Sequence, residues 1–250
     1  YPRGKGGLFL NQLKFDAGDP NPANIEKKSR LLATFLSNMG VGSREAPVVL
    51  PGVNAEYTTV DLNRWNNVYI RNREGQRDLF GDGLDLRHLV AGERYYADVP
   101  FLLTDYATAP VPQGILGEAA GIEVAKPADM LYFLHAAQVA RPAGGEERPE
   151  VATYVVRYAD GSSVEVPVRL GEEVGHWQQK SPLPLPNGRI GWAVPYPGAG
   201  TVDTVPVLYV SQWQNPKPQV PIASLDLRKG KDLDRARLLV LGVTVAKIRQ

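Results

Sequence analysis

Residues 151–175 read VATYVVRYADGSSVEVPVRLGEEVG, and this stretch decides the fold. It contains two strand-like runs on either side of an Asp-Gly pair at residues 160–161. Past the pair, Val164, Val166 and Val168 share one face, and Ser, Glu and Pro residues occupy the other. A period of two on both sides of Asp-Gly is the strongest short-range signal of a β-hairpin. The pattern therefore predicts antiparallel strands with one buried face and one face in water.

The composition of the chain bounds its class. The 250 residues are 43% hydrophobic and 22% charged, which is enough for one large β domain or two smaller domains. The formal net charge is +1, so we expect neither nucleic acid nor a membrane as partner. No apolar run reaches the roughly 18 residues of a spanning helix, and the start at Tyr1 lacks a signal-peptide pattern. We expect a mature or excised part of a longer protein.

Cysteine is absent, which excludes disulfides, thiolate metal sites and a cysteine nucleophile. The chain contains 21 Pro and 25 Gly residues. Because these residues favour turns and strand edges, the composition indicates a sandwich-like fold rather than a bundle of long helices.

The first forty residues differ from the rest. Residues 7–15 are mostly apolar and predict a buried strand. Asn21 is a favourable N-cap for a helix with Pro22 at its first position, and apolar side chains at helical spacing continue to Met39. We therefore divide the chain into a strand–helix segment at 1–42, a Pro-containing linker at 43–56 and a β domain at 57–250.

The sequence from residue 57 onward is typical of β structure. Pro- and Gly-rich loops are predicted at 141–149 and 180–200. Many strands at irregular spacing predict a mainly β fold, an antiparallel jelly-roll β-sandwich preceded by the short N-terminal strand–helix segment. The predicted strands are 57–61, 66–72, 98–104, 121–125, 129–135, 151–159, 163–169, 205–213, 221–228 and 237–247.

The densest acidic loop contains Asp82 and Asp85, in the sequence FGDGLD. Hard cations such as Ca²⁺ prefer several oxygen ligands, and the spacing resembles part of a calcium loop. The loop lacks the further acidic positions and the closing Glu of an EF-hand. A structural Ca²⁺ is the one cofactor that the sequence suggests, and an ordinary Gly/Asp turn is the alternative that we favour.

The histidines do not have metal-ligand spacing. His135 lies in the apolar run LYFLHAA, which favours a hydrogen-bonded core histidine over a catalytic one. His176 precedes Trp177 just past a strand, where it could line a groove.

Aromatic side chains offer a better lead. A sugar ring presents a flat C–H face that stacks on an aromatic ring, and exposed aromatic rings in loops are costly without a ligand. The alternative is that these rings fill the sandwich core and seal its ends. The candidate carbohydrate-binding residues are Trp177, Trp192, Tyr196, His176, Gln178, Tyr95 and Tyr96.

Several segments of the β region carry a family resemblance. They are YTTVDL at 57–62, DLRHL at 85–89 running into YYADVPF at 95–101, ADMLYFLHAA at 128–137 and the strands at 151–169. The series resembles a galactose-binding-like β-sandwich module from the C-terminal part of bacterial β-galactosidase-like glycoside hydrolases. The likeness covers about Tyr57–Lys247.

The N-terminal segment has a resemblance of its own. GKGGLFLNQL at 4–13 and LLATFLSNMG at 31–40 are similar to the last strand and helix of the flavodoxin-like or amidotransferase-like domain of such hydrolases. The resemblance implies that 1–42 is the remnant of a preceding α/β domain. It also implies that the barrel with the catalytic acids lies outside this chain, so we expect no catalytic site here.

The resemblance and the loop aromatics favour a non-catalytic, carbohydrate-binding module of a larger glycoside hydrolase. The implied partners are a polysaccharide or oligosaccharide and the parent's catalytic domain, and the implied location is extracellular or periplasmic. One alternative is a domain that braces the hydrolase or builds a homo-oligomer. Another is a polysaccharide-active enzyme on a jelly-roll scaffold, in which His135, Tyr132 and Arg157 supply an acid, a base and a charge neutraliser.

Overall fold

A computed structural model describes residues 2–3, 6–7, 55–71, 85–110, 119–139, 148–194, 204–231 and 236–249. The chain divides into two compact units, Tyr1–Arg44 and Glu45–Gln250. In the first unit, Pro2–Arg3 pairs with Gly6–Gly7 in an antiparallel ribbon. The predicted helix up to Met39 lies outside the described residues.

The second unit is built from antiparallel strands. The described residues also include one short 3₁₀ turn at Asn63–Trp65. No helix among the described residues is long and apolar enough to cross a membrane. In chain order the strands are β1 (Pro2–Arg3), β2 (Gly6–Gly7), β3 (Ala55–Val60), β4 (Val68–Tyr69), β5 (Gly92–Tyr96), β6 (Val99–Leu103), β7 (Tyr106–Ala107), β8 (Ala119–Lys126), β9 (Met130–Val139), β10 (Glu150–Tyr158), β11 (Ser163–Arg169), β12 (Gln178–Gln179), β13 (Gly188–Ala193), β14 (Val205–Gln214), β15 (Ile222–Lys229) and β16 (Ala236–Ile248).

Two sheets dominate the second unit. One has the strand order β11-β10-β15-β8, and the other has the order β12-β14-β9-β16-β3 with β13 also paired to β14. The hairpin predicted at 151–175 is confirmed, because Val156 pairs with Val164 and Arg157 with Ser163 around the turn. Gly161 takes a φ of +83° there, a left-handed conformation that favours glycine.

The two sheets share an apolar core. Phe133 on β9 and Tyr154 on β10 stack across it, with ring centroids 4.0 Å apart and planes 14° from parallel. Side chains that alternate along each strand meet in this layer, as the period of two requires. The mainly β, antiparallel fold is thereby confirmed, and it is consistent with a β-sandwich. Buried core residues include Val60, Ile122, Leu131, Val156, Leu225, Leu227, Val243 and Val245.

The six-stranded sheet is buried on its second face as well, so the expectation of a single buried face is wrong for this sheet. The reason lies in β9, where successive residues Leu131–Ala137 are all buried and point alternately to both faces. The ribbons β4–β7 and β5–β6 form a cap over the second face. Phe101 on β6 packs on Gly242 of β16 so closely that an added Cβ would lie 3.0 Å from its ring.

The outer face of the four-stranded sheet is polar, as the hairpin pattern predicts. Arg157 donates to the Asp226 carboxylate at 2.7 Å, and Arg228 lies 3.3 Å from Glu165. Asp226 also accepts from the Gly121 N–H at 2.9 Å. The two contacts of Asp226 join β15 to its neighbours β10 and β8, and the Arg228–Glu165 pair reaches from β15 across β10 to β11 on the solvent side.

Candidate functional site

Trp177 was predicted to lie exposed in a loop, and this prediction is wrong. Its side chain is only 2% exposed and belongs to the core under the cap. The backbone explains the burial: its N–H donates to the Ala137 carbonyl at 2.8 Å, and its carbonyl accepts from the Val207 N–H at 2.6 Å. The residue is thus fixed beside β9 and β14. An indole buried in this way offers no ring face to a ligand.

The neighbours of Trp177 also make internal contacts. His176 is half-buried, and its Nδ1 lies 3.1 Å from the Ala137 carbonyl. Burial lowers the pKa of His176, and the contact with that carbonyl partly offsets the shift. Gln178 donates from Nε2 to the Thr204 hydroxyl at 2.8 Å. Both side chains therefore hold the segment in place.

Two other predicted residues, Tyr96 and Trp192, lie on the capped face of the six-stranded sheet. Both are half-buried and pack against the same apolar core. Gly191, which precedes Trp192, allows Val210 to pack closely, since an added Cβ would lie 2.7 Å from Val210 Cγ2; the same Cβ would lie 3.4 Å from the Cβ of Tyr96, an ordinary contact distance. Tyr95, the neighbour of Tyr96, is 68% exposed. Tyr196 lies outside the described residues.

A further group of side chains lies on the second face of the six-stranded sheet, and we call it the sheet-end patch. Strand register places its members on one face: Gln212 is opposite Tyr132, which lies between Met130 and Leu134 on the alternate positions of β9. The rings of Tyr57 and Tyr132 have centroids 6.1 Å apart. All members except the buried Tyr132 are half-buried. The sheet-end patch consists of Tyr57, Met130, Tyr132, Arg189 and Gln212.

Two hydrogen-bond donors of the sheet-end patch converge on one sulfur atom. Gln212 donates from Nε2 to Met130 Sδ at 2.9 Å, and the Tyr132 hydroxyl donates to the same sulfur at 3.3 Å. A thioether is a weak acceptor, whereas an amide and a phenol are full-strength donors. A ligand oxygen placed over Met130 would therefore give these donors a better partner than the sulfur does.

The electrostatics of the sheet-end patch keep Tyr132 in its donor form. Burial raises the pKa of Tyr132 well above its ordinary value, the neighbouring Tyr57 raises it further, and the charge of Arg189 acts in the opposite direction. The phenol is therefore protonated at neutral pH and can act as a donor. The patch thus combines apolar ring surface, neutral donors and one cation.

The predicted calcium ligands receive little support from geometry. Asp82 lies outside the described residues. Asp85 is buried, and its two oxygens accept from the Nε and Nη2 atoms of Arg87 at 2.8 and 2.9 Å. A guanidinium so close to the carboxylate opposes the binding of a dication there. Across the described ranges, no three His, Asp or Glu side chains form a group that could hold a metal ion.

The three residues of the enzyme alternative lie apart. His135 is fully buried between the two sheets, where Nε2 lies 3.1 Å from the Glu173 carbonyl and Nδ1 lies 3.2 Å from the Tyr154 hydroxyl. Tyr132 points to the opposite face of β9, because the two positions differ by an odd number. Arg157 is on the outer face of the other sheet. No common substrate could contact all three.

The sequence analysis missed most of the sheet-end patch. Tyr57 begins the strand predicted at 57–61, and Met130 and Gln212 each lie one residue from an end of the strands predicted at 129–135 and 205–213, so each segment was recognised as a strand. What joins them is the order β14-β9-β16-β3, a set of long-range pairings that local patterns do not reveal. No family model, curated protein or solved structure matches the chain.

Proposed function

We propose that this chain is a non-catalytic carbohydrate-binding module, and that a saccharide binds over the sheet-end patch, on the sheet face that also carries Tyr96 and Trp192. The observation that carries the proposal is the convergence of the Gln212 and Tyr132 donors on a thioether, beside half-buried aromatic rings. A sugar offers this arrangement hydroxyl oxygens, which are stronger acceptors than a thioether, and a flat apolar face for the rings.

The strand order supports a jelly roll as the scaffold. Without the edge strands β12 and β13, the two large sheets contain eight strands, in the order β3, β8, β9, β10, β11, β14, β15 and β16 along the chain. The first of these pairs with the eighth, the second with the seventh, the third with the sixth and the fourth with the fifth. A long hairpin wrapped into two sheets produces this nested pairing, and jelly rolls are built in that way.

The wider setting is proposed on the family resemblance. The module belongs to the C-terminal part of a bacterial glycoside hydrolase that acts outside the cytoplasm, and its partners are a polysaccharide or oligosaccharide and the catalytic domain. Its affinity for short saccharides lies in the micromolar to millimolar range, because a shallow site buries little surface and water competes for every hydroxyl.

Calorimetric titration of the whole chain against a panel of galactans, xylans and their oligosaccharides tests the proposal. Substituting Gln212→Met removes the amide donor and keeps the length of the side chain. Since one hydrogen bond contributes on the order of 1 kcal/mol, the variant should bind its saccharide about fivefold more weakly. Gln219→Met is the matched control, because Gln219 is exposed in the turn between β14 and β15.

Two outcomes contradict the proposal in different ways. If no saccharide of a broad panel binds the unmodified chain, carbohydrate binding itself is wrong. If a saccharide binds and Gln212→Met has no more effect than Gln219→Met, the function stands but the sheet-end patch is the wrong site. If the chain binds no glycan but forms a defined oligomer in light scattering, the result would support the alternative of a domain that braces the hydrolase or builds a homo-oligomer.

A further inference from the structure

The cap carries a pair of tyrosines that the carbohydrate site above does not use. Tyr69 on β4 and Tyr106 on β7 pair directly across the ribbon, with ring centroids 5.2 Å apart and planes tilted by 54°. Their neighbours Val68 and Ala107 are buried in the core under the cap. Because side chains alternate along a strand, the two rings lie on the opposite, outer face, where Tyr106 is 40% exposed.

An ion pair lies at the same end of the ribbon. Arg71 follows Tyr69 by two residues, Asp105 precedes Tyr106, and the Arg71 Nη2 lies 2.7 Å from the Asp105 Oδ1. Both side chains remain more than a third exposed. The Nε of Arg71 is buried and has no hydrogen-bond partner among the residues that the structure describes. A ligand cannot reach this buried atom, but the two Nη atoms carry four N–H groups, so the exposed part of the guanidinium has donor capacity beyond its bond to Asp105.

We propose that Tyr69, Arg71, Asp105 and Tyr106 form a second saccharide site, which we call the cap platform. The ring of Tyr106 takes the C–H face of a pyranose, the Asp105 carboxylate accepts from its hydroxyls, and Arg71 donates to a ring or hydroxyl oxygen. A neutral sugar hydroxyl suits the pair because it both donates and accepts, whereas an anion such as a phosphate would be repelled by Asp105. This inference rests on the proposed carbohydrate binding.

A second site changes how the chain should bind polymers. Two weak sites on one molecule can engage two segments of the same polysaccharide, so the second contact becomes intramolecular and overall retention exceeds that of either site. A short oligosaccharide cannot bridge them and would bind each site separately. The number of oligosaccharides bound per chain and the retention on polymer are therefore two independent readouts of the cap platform.

The test uses the whole chain and the oligosaccharide and polymer found to bind in the panel titration. Tyr106→Ala removes the stacking face, and Tyr106→Phe keeps the ring as the matched control. We expect the unmodified chain to bind two oligosaccharides, Tyr106→Ala to bind one and to lose about tenfold in retention on polymer gels, and Tyr106→Phe to behave like the unmodified chain. Asp105→Asn, which leaves both rings in place, should also weaken binding, so it replaces Tyr106→Ala if that variant fails to fold.

The failures are distinguishable. If the unmodified chain binds one oligosaccharide and Tyr106→Ala is retained as well as the unmodified chain, the cap platform is wrong and the sheet-end patch is the single site. If neither oligosaccharide nor polymer binds the unmodified chain, the proposed function and the cap platform fall together.

Discussion

His135 is a buried histidine whose ring is held by one donor and one acceptor. The Glu173 carbonyl can only accept, so Nε2 carries the proton, and Nδ1 is left to accept from the Tyr154 hydroxyl. Burial lowers the pKa of His135 from 6.5 to about 4, with the Glu173 carbonyl acting in the opposite direction. The neutral ring is thus part of the contact between the two sheets rather than a proton donor for chemistry.

The pKa of His135 predicts acid sensitivity of the fold. Between pH 6.5 and 4, His135 is protonated in the unfolded chain and neutral in the folded chain. The contribution of His135 to the unfolding free energy is therefore fully present above pH 6.5 and decreases as the pH falls through this range. The unfolding free energy should decrease by about 2 kcal/mol between pH 7.5 and pH 5 because of this residue alone. Urea unfolding of the native chain and of His135→Gln at both pH values measures the difference.

The exposed His88 provides the control for this prediction. His88→Gln makes the same substitution at an exposed position, and His135→Gln should lose less stability than His88→Gln between pH 7.5 and pH 5, because the part that comes from His135 is removed. Equal pH dependence in the native chain and in His135→Gln would show that His135 is not the proton-binding group. His176, whose pKa is also lowered by burial, contributes in the same direction in all three proteins.

At the scale of elements, the β10–β11 hairpin depends on one backbone conformation. Gly161 has a φ of +83°, and an added Cβ would meet nothing within 4 Å, so the cost of a side chain there is conformational only. Gly161→Ala should therefore lower the unfolding free energy by about 1 kcal/mol. Asn visits this conformation more readily than Ala, so Gly161→Asn should lose less. Chemical denaturation that finds equal losses for the two variants would contradict this account of the turn.

Strands that bury one regular face could be predicted from the sequence, and strands with weak or interrupted patterns could not. The strands predicted at 163–169, 205–213 and 221–228 agree with β11, β14 and β15 to within about a residue at each end. β13 was assigned to a loop because Gly188 and Gly191 interrupt it, yet Gly191 is required for the close approach of Val210. β5 was not predicted, because its polar sequence GERYY lacks the apolar alternation of a strand. Its backbone pairing with β6 stabilises it as a strand nevertheless.

The candidate site was predictable only in part for the same reason. Tyr96 and Trp192 were chosen from their residue types, and both are half-buried against the core under the cap. Trp177 has the same residue type and the opposite environment, because its backbone bonds to Ala137 and Val207 place it inside. The local sequence shows that an aromatic ring is present. Whether that ring is buried by the protein or left accessible to a ligand depends on the long-range pairing of strands.

At the scale of the whole second unit, three layers explain where ligands could bind. The four-stranded sheet covers one face of the six-stranded sheet, and the two ribbons of the cap cover most of the other. The β5–β6 ribbon packs over β16 through Phe101 and through a hydrogen bond from the Thr244 hydroxyl to the Pro100 carbonyl. The end of the sheet beyond this ribbon is the sheet-end patch, and it combines half-buried rings with directed donors.

The central claim is that a saccharide binds at this end of the sheet, on the face that also carries the half-buried Trp192, while Trp177 is buried in the core. The chain has four tryptophans, so ¹⁵N-labelled protein gives four indole N–H signals, which substitution of each Trp by Phe assigns. Titration with the saccharide that binds in the panel should shift the Trp192 indole signal and leave that of the buried Trp177 in place. Saturation with that saccharide while the Trp192 signal stays unmoved would contradict the claim.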